Sequence, residues 1–314
     1  MTRSYPALLV LLAALWGSQY VFIRVAVRDL APATMIDLRL WIAAPIIVAY
    51  VLWSSGVSTG WHELRSAARP SVVLGVLNAV PFTLVAWGEQ HVDSGVAAIG
   101  NATVPIFVVA LVVKAVPSER VTGLRLAGVV LGLIGVAVLA GLHPRAGWWS
   151  TAGTAAVVAA SLSFALSQVY SRTKIELIRG PVLAAGAMST AALLLLPFAL
   201  VQPPTDVPSW KVIGSVVALA VLGTAAAQLL FYRMIGLHGV SRTTLVSYLI
   251  PVAGLLFGAT ILGEPLTVAK LLGLALILAG VALGAGVVRR RRRTPRRNRR
   301  EDDVDLARDQ PGAT

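Results

Sequence analysis

Apolar residues in this chain do not alternate with polar ones at a short period. They run in long blocks separated by brief polar breaks. Ten blocks can be read, near residues 6–27, 33–53, 70–91, 94–115, 121–142, 149–170, 181–201, 210–234, 240–262 and 266–288. A helix needs ~20 predominantly apolar residues to cross a hydrocarbon core ~30 Å thick. Each block meets that length, whereas the ~10-residue alternating strands of an outer-membrane barrel do not fit. Lipid offers no water to satisfy backbone N–H and C=O groups, so such blocks are expected as continuous helices. The pattern predicts an all-α polytopic membrane protein of ten transmembrane helices. Its connections are short, the longest running from Trp53 to Pro70, and none has room for a soluble domain. The first block lacks an A-x-A-like cleavage site and is expected to stay as a span.

The blocks are not independent. "SERVTGLRLAGVVLGLIGVAVLAG", Ser118 to Gly141, returns half a chain later as "GEPLTVAKLLGLALILAGVALGAG", Gly263 to Gly286. Without gaps, Glu119 falls on Glu264, Thr122 on Thr267 and Arg125 on Lys270. Pro105 likewise pairs with Pro251, and placing Trp16 on Phe164 sets Arg24 against Arg172. The copies open the fifth and tenth spans. Five spans is an odd number, so the second half must cross the membrane inverted. Two five-helix repeats of opposite topology, 6–142 and 149–288, are the architecture of secondary transporters, with a solute held between them near mid-membrane.

Composition fixes the solvent. The chain is 57% hydrophobic and 13% charged, about half the ~25% charged residues of a soluble domain. With no cysteine, disulfides, thiol catalysis and Cys-based metal sites are excluded. Basic residues set orientation. Arg3, Arg65, Arg69, Lys114, Arg120, Arg125, Arg172, Lys174, Arg179, Arg233 and Arg242 outnumber Arg24, Arg28, Arg39, Arg145, Lys211 and Lys270 on the other side. The positive-inside rule then puts both termini in the cytoplasm and the protein in the cytoplasmic membrane. The tail, 289–314, opens with "RRRRRTPRRNRR", Arg289 to Arg300. Directly after a span, such a run is expected to anchor the helix end on anionic lipid headgroups and not to bind nucleic acid. The acidic "EDDVDLARDQPGAT" behind it reads as disordered.

"LWGSQYVFIRVAV" in span one, "LRLWIAA" in span two, "SGVAAIGNATVPIFVVAL" in span four and the paired "PSERVT" and "GEPLT" segments resemble the EamA domains of the drug/metabolite transporter superfamily. The resemblance covers residues 8–287 as two consecutive units, and departs from the family at Pro117-Ser118, where Gly usually precedes the Glu. It implies ten helices and a solute drawn from small metabolites, amino acids, bases or drugs; no cofactor is expected.

Candidate chemistry is sparse. Thr122 and Thr267 stand where a helix should start and can cap it, with Glu119 and Glu264 suited to the positive helix end; a gating role for the two carboxylates is the alternative. Gly128, Gly132, Gly280 and Gly284 give two G-x-x-x-G spacings for close helix packing, within one subunit or between copies of a homo-oligomer. Trp16 in "WGSQY" and Trp87 in "WGEQH" can stack on a flat or cationic solute, or simply pack. Gln19, Asn78, Asn101, Gln168 and Gln228 are amides inside spans, costly unless they face a cavity or another helix. Asp37, Arg39 and Glu89 lie in the outer part of the bilayer. Arg39 is expected to pair with Asp37 or Glu89 beside the cavity, or to snorkel to the interface, and Glu89 and Asp37 are candidates for proton or cation coupling. His62, His91, His143 and His238 are scattered at connections, and no metal site, catalytic cluster or phosphate loop is legible. The expectation is a non-enzymatic carrier of a small-molecule solute. A passive channel or sensor of the same fold, or a membrane-embedded enzyme, stands as the alternative.

Overall fold

The computed structural model of the chain describes residues 4–115, 124–141, 147–174, 177–204, 206–243 and 245–284. Glu119, Thr122 and the Arg289–Arg300 run lie outside the described residues. Within them the chain is helical and has no strand.

Long apolar runs rich in Ala and Leu, with every backbone bond closed internally, give α1 (Ser4–Ala26), α2 (Pro32–Ser55), α4 (Ala68–Gly88), α8 (Gly147–Lys174) and α9 (Gly180–Val201). Proline stands in the first turn of both α2 and α9, where its missing N–H has no helical partner to lose. Trp210–His238 is one continuous apolar run, built of α10 (Trp210–Ala218), a π-helical segment (Leu219–Ala226) and α11 (Ala227–His238). These six stretches are long and apolar enough to cross a membrane, and four shorter apolar ones accompany them: Ser94–Val108, Leu126–Leu139, Val246–Leu262 and Val268–Leu283.

The structure departs from the sequence reading at three places. The connection after Trp53 is itself helical, α3 (Val57–Ser66), and Arg179 holds it by an ion pair to Glu63 at 3.1 Å. The block at 94–115 is broken into α5 (Ser94–Asn101) and α6 (Val104–Ala115), just ahead of Pro105. The block at 240–262 is likewise divided into α12 (Val240–Thr243) and α13 (Val246–Leu262). The two helices that remain are α7 (Leu124–Gly141) and α14 (Val268–Gly284).

Long-range contacts define two faces. On the first, Tyr5 of α1 donates to the Arg242 carbonyl at 2.9 Å and packs on His238, while Arg179 binds Glu63 beside the end of α2. On the second, Thr34 donates to the Gln202 carbonyl at 2.7 Å, Arg24 donates to the Glu89 carbonyl, and Glu264 accepts from Ser94. Trp53, Trp148 and Trp210 stand largely exposed at helix ends, where amphipathic rings favour a lipid–water boundary. Leu193, Phe198 and Leu200 are more than half exposed along α9, an apolar surface suited to a lipid surround.

The two sequence halves interleave. α2 packs on α9, α4 on α8 and α9, α1 on α13, and α7 on α14. The α7–α14 contact explains the glycine spacings. A Cβ on Gly280 would lie 2.6 Å from the backbone oxygen of Gly128 and 2.6 Å from the nitrogen of Gly132. These glycines therefore pack the two helices together within one chain, by backbone contact that any side chain would prevent. The same device brings α13 against α5, where a Cβ on Gly254 would come within 2.5 Å of that of Ala98.

Candidate functional site

Where the helices of both halves meet, the packing leaves a cavity of about 260 Å³. α1 contributes Trp16, Gln19 and Tyr20; α2, Arg39; α4, Asn78 and Phe82; α8, Phe164, Ser167 and Gln168. From the far half of the chain come Thr224 in the π-helical segment and Gln228, Phe231 and Tyr232 in α11. The lining continues to Ser171 near the end of α8, Leu183 at the start of α9, Ile235 at the end of α11 and Ser247 at the start of α13. All of these lie toward the first face. Toward the second, the lining ends with Tyr20, Arg39 and Ala98, and Ile23, Val27, Met35, Ile36 and Val85, nearer that face along their helices, are buried in an apolar core.

The structure thus gathers Trp16, Gln19, Arg39, Asn78, Gln168 and Gln228 around one space, together with Asn101. Each amide group is placed differently. Asn78 accepts from Ser167 at 3.3 Å, and Asn101 donates to the Tyr20 hydroxyl at 2.8 Å while accepting from Ser161 at 3.2 Å. Trp16 tilts against Phe231 with ring centroids 5.2 Å apart. Trp87 is elsewhere: its ring meets the edge of His91, which in turn stacks on Trp149. It belongs to aromatic packing at the second face.

The expected pairing of Arg39 with Asp37 or Glu89 is not found. Arg39 donates from Nε to the Thr224 hydroxyl at 2.7 Å and from its NH2 nitrogen to Gln19 Oε1 at 3.3 Å, and its guanidinium carbon lies 4.6 Å from the centre of the Phe82 ring. Nor does it snorkel: it is 2% exposed. Thr224 can serve it because the wider π-helical turn lets its own hydroxyl proton go to the Leu219 carbonyl at 2.9 Å. Glu89 is fully buried, off the cavity, with neither carboxylate oxygen partnered; Asp37 is buried with Oδ1 unpartnered.

Glu264 also differs from expectation. Thr267 does cap its own helix, accepting from the Lys270 N–H at 3.3 Å. The carboxylate of Glu264, however, caps the N-terminus of α5, accepting from the backbone N–H of Ser94 at 2.7 Å and Gly95 at 3.0 Å. Gly263 makes this possible. At φ 69° it closes α13 in a left-handed turn that aims Glu264 back across the helix end. A Cβ on Gly258 would lie 2.7 Å from a Glu264 carboxylate oxygen, so glycine there leaves the space. Lys270, fully buried, donates to Asp93 at 2.7 Å and to the Pro265 carbonyl at 3.0 Å, with Glu264 at 4.0 Å. Asp93, Glu264 and Lys270 therefore tie α13 and α14 to α5 at the second face. Sequence reasoning missed Tyr20, Phe82, Thr224 and Asp93. Only the interruption of the apolar run by Thr224 in "VLGTAA" carried a signal.

The described residues hold no cluster of His, Asp or Glu able to bind a metal. Comparison with known proteins gives the family. The sequence profile of the EamA-like transporter family matches residues 4–141 and 151–285. An uncharacterized transporter of Archaeoglobus fulgidus is 28% identical over 290 residues, covering 90% of this chain and 98% of its own. A probable terminal-alkyne amino-acid exporter of Streptantibioticus cattleyicolor is 30% identical over 286 residues, 88% of this chain and 91% of its own. A probable amino-acid metabolite efflux pump of Salmonella typhimurium is 25% identical over 311 residues, 93% and 98%. One crystal structure at 22% identity shares the fold, with a TM-score of 0.66 over 94% of this chain and 100% of its own. Apolar helices in the number and length that span a membrane, and a family profile matched across both halves, make this multi-pass membrane protein a member of the EamA-like transporter family.

Proposed function

We propose that this chain is a secondary transporter that moves a small metabolite across the cytoplasmic membrane by alternating access, with the central cavity as its solute site. One observation carries the reading: the cavity runs toward one face and is sealed at the other by contacts that join the two halves. Glu264 and Lys270, from the second half, grip Asp93, Ser94 and Gly95 of the first. A carrier must make such contacts at one face while they are broken at the other.

The helix pairing supports the two units, 6–142 and 149–288, as inverted repeats of five spans each. If each span is exchanged for its counterpart in the other half, α4–α8 becomes the contact of α1 with Trp210–His238, and α6–α8 becomes α1–α13. All of these contacts exist, and α2–α9 and α7–α14 exchange into themselves. With basic residues placing both termini in the cytoplasm, the cavity is cytoplasm-facing in this state. Trp16, Gln19, Arg39, Asn78, Gln168 and Gln228 are then solute contacts. Glu89 and Asp37, whose buried oxygens lack partners at the sealed end, are the positions for a coupling proton or cation. The polybasic tail serves the lipid surface. Two relatives are named for amino-acid compounds, which favours export of an amino-acid-like solute.

The test is counterflow in proteoliposomes loaded with candidate solutes. Trans-stimulated uptake of labelled solute is the expected result. Equilibration of label without trans-stimulation would replace the carrier with a passive pore.

A further inference from the structure

The central cavity is unbalanced in charge. Among the described residues its wall holds a single cation, Arg39, and no carboxylate. Arg39 is 2% exposed, and both acceptors it reaches, Thr224 and Gln19, are neutral. Its NH1 nitrogen is buried with no partner at all. No described carboxylate lies within ion-pair distance of it. Taking a cation out of water costs more than two neutral hydrogen bonds return, and the Phe82 face, 4.6 Å from the guanidinium carbon, offsets only part of the difference. The group is nevertheless firmly positioned. Thr224 gives its own proton to Leu219, so its oxygen is left to accept from Nε.

We propose that Arg39 is an anion anchor and that the transported solute carries a carboxylate, as a small organic acid or an amino acid. This rests on the reading of the cavity as the solute site. The carboxylate reaches the guanidinium as the solute displaces the packing over NH1, which is shielded from solvent in this state, and supplies the missing acceptor and the missing charge together. A doubly charged phosphate fits less well, since no second cation lines the wall among the described residues. The rest of the solute lies against Trp16, Phe164 and Phe231. At about 260 Å³ the space is smaller than the ~300–1,000 Å³ typical of drug-sized pockets, which selects amino-acid-sized compounds.

The experiment uses full-length protein in lipid nanodiscs and reads its thermal midpoint against matched probes: acetate with acetamide, phenylacetate with phenylacetamide, L-phenylalanine with L-phenylalaninamide, and benzylamine as a cation. Saturable stabilisation by the carboxylates, and none by the amides or the amine, is expected. Arg39→Gln should raise the half-saturating concentration ~10- to 100-fold, the loss of a hydrogen-bonded charge. Arg39→Lys should fall between, keeping charge without the planar fork. Gln19→Glu is the second arm, since it sets a carboxylate of the protein's own against the guanidinium. That variant should be more stable without ligand and should no longer respond to carboxylates, with Arg39 still present. Equal stabilisation by amides or benzylamine, a carboxylate response that survives both Arg39→Gln and Gln19→Glu, or no carboxylate response in the native chain would each overturn the assignment. Counterflow with the same compounds separates it from the transporter reading. Flux of neutral or cationic solutes alone removes the carboxylate and keeps the carrier. Arg39-dependent carboxylate binding without trans-stimulated flux keeps the anchor and removes the carrier.

Discussion

Replacing Glu264 by Gln changes no shape but should unseal the second face. The carboxylate accepts two backbone N–H groups of α5, at 2.7 and 3.0 Å, and lies 4.0 Å from the buried ammonium of Lys270. Gln keeps one acceptor and turns the other into an NH2 group facing a backbone N–H. One charge-assisted bond, ~1.5–3 kcal/mol, is lost, and the positive end of α5 loses its counter-charge. A cost of about 2 kcal/mol to the sealed state alone multiplies the open population ~30-fold. Ser94 supplies the reporter, because its hydroxyl is fully buried behind Glu264 and has no partner. Ser94→Cys is nearly isosteric and, in a chain without cysteine, gives a unique thiol. An impermeant maleimide added at the second face should label it slowly beside Glu264 and ~10- to 100-fold faster in Glu264→Gln. Val207→Cys, at a site 90% exposed, sets the maximal rate. Gly258→Ala should act like Glu264→Gln, since the new methyl would lie 2.7 Å from the carboxylate oxygen. If Glu264→Gln lowers the thermal midpoint yet leaves the labelling rate of Ser94→Cys unchanged, Glu264 is a helix cap and nothing more, and the reasoning fails.

Four further outcomes are expected. Gly280→Val should destabilise the folded protein by ~1–3 kcal/mol, read as a lower thermal midpoint, because the Cβ it adds would lie 2.6 Å from the α7 backbone and force the two helices apart. Glu89→Gln should flatten the pH dependence of transport without lowering the amount of protein in the membrane; a wild-type profile would return the buried carboxyl to packing. Leu177→Cys and Leu266→Cys, 82% and 51% exposed at opposite helix ends, should label from opposite sides of intact cells, and labelling of both from outside would remove the membrane orientation derived from the basic residues. Deleting Arg289 to Thr314 should leave solute recognition in place while weakening association with anionic vesicles, measured by co-sedimentation.

The membrane class, the positions of the long helices and the resemblance between the two halves were all legible in the residues. Lipid imposes one local demand, an apolar run of sufficient length with its backbone bonded internally, and a segment such as Gly180–Val201 meets it without reference to any other. The segments around Glu119 and Glu264 could be matched for the same reason, each being read in place. The amides were recognisable as costly inside a span, and Gln19, Asn78, Gln168 and Gln228 do line the cavity. Their partners were not legible. Whether Gly280 met a helix of its own chain or of another copy depended on α7 and α14 being neighbours. The carboxylate of Glu264, read as serving the helix it precedes, reached α5 because the left-handed turn at Gly263 aimed it there. Arg39 had Asp37 two residues away and Glu89 at the end of the next span as candidate partners, and bound neither. Its acceptor, Thr224, is brought to it by the packing of α2 on the π-helical segment. Hydropathy is a property of each segment against its solvent, so sequence alone determined it. Ion pairing and hydrogen bonding fall off within a few ångströms, so only the arrangement of helices could decide which distant groups meet.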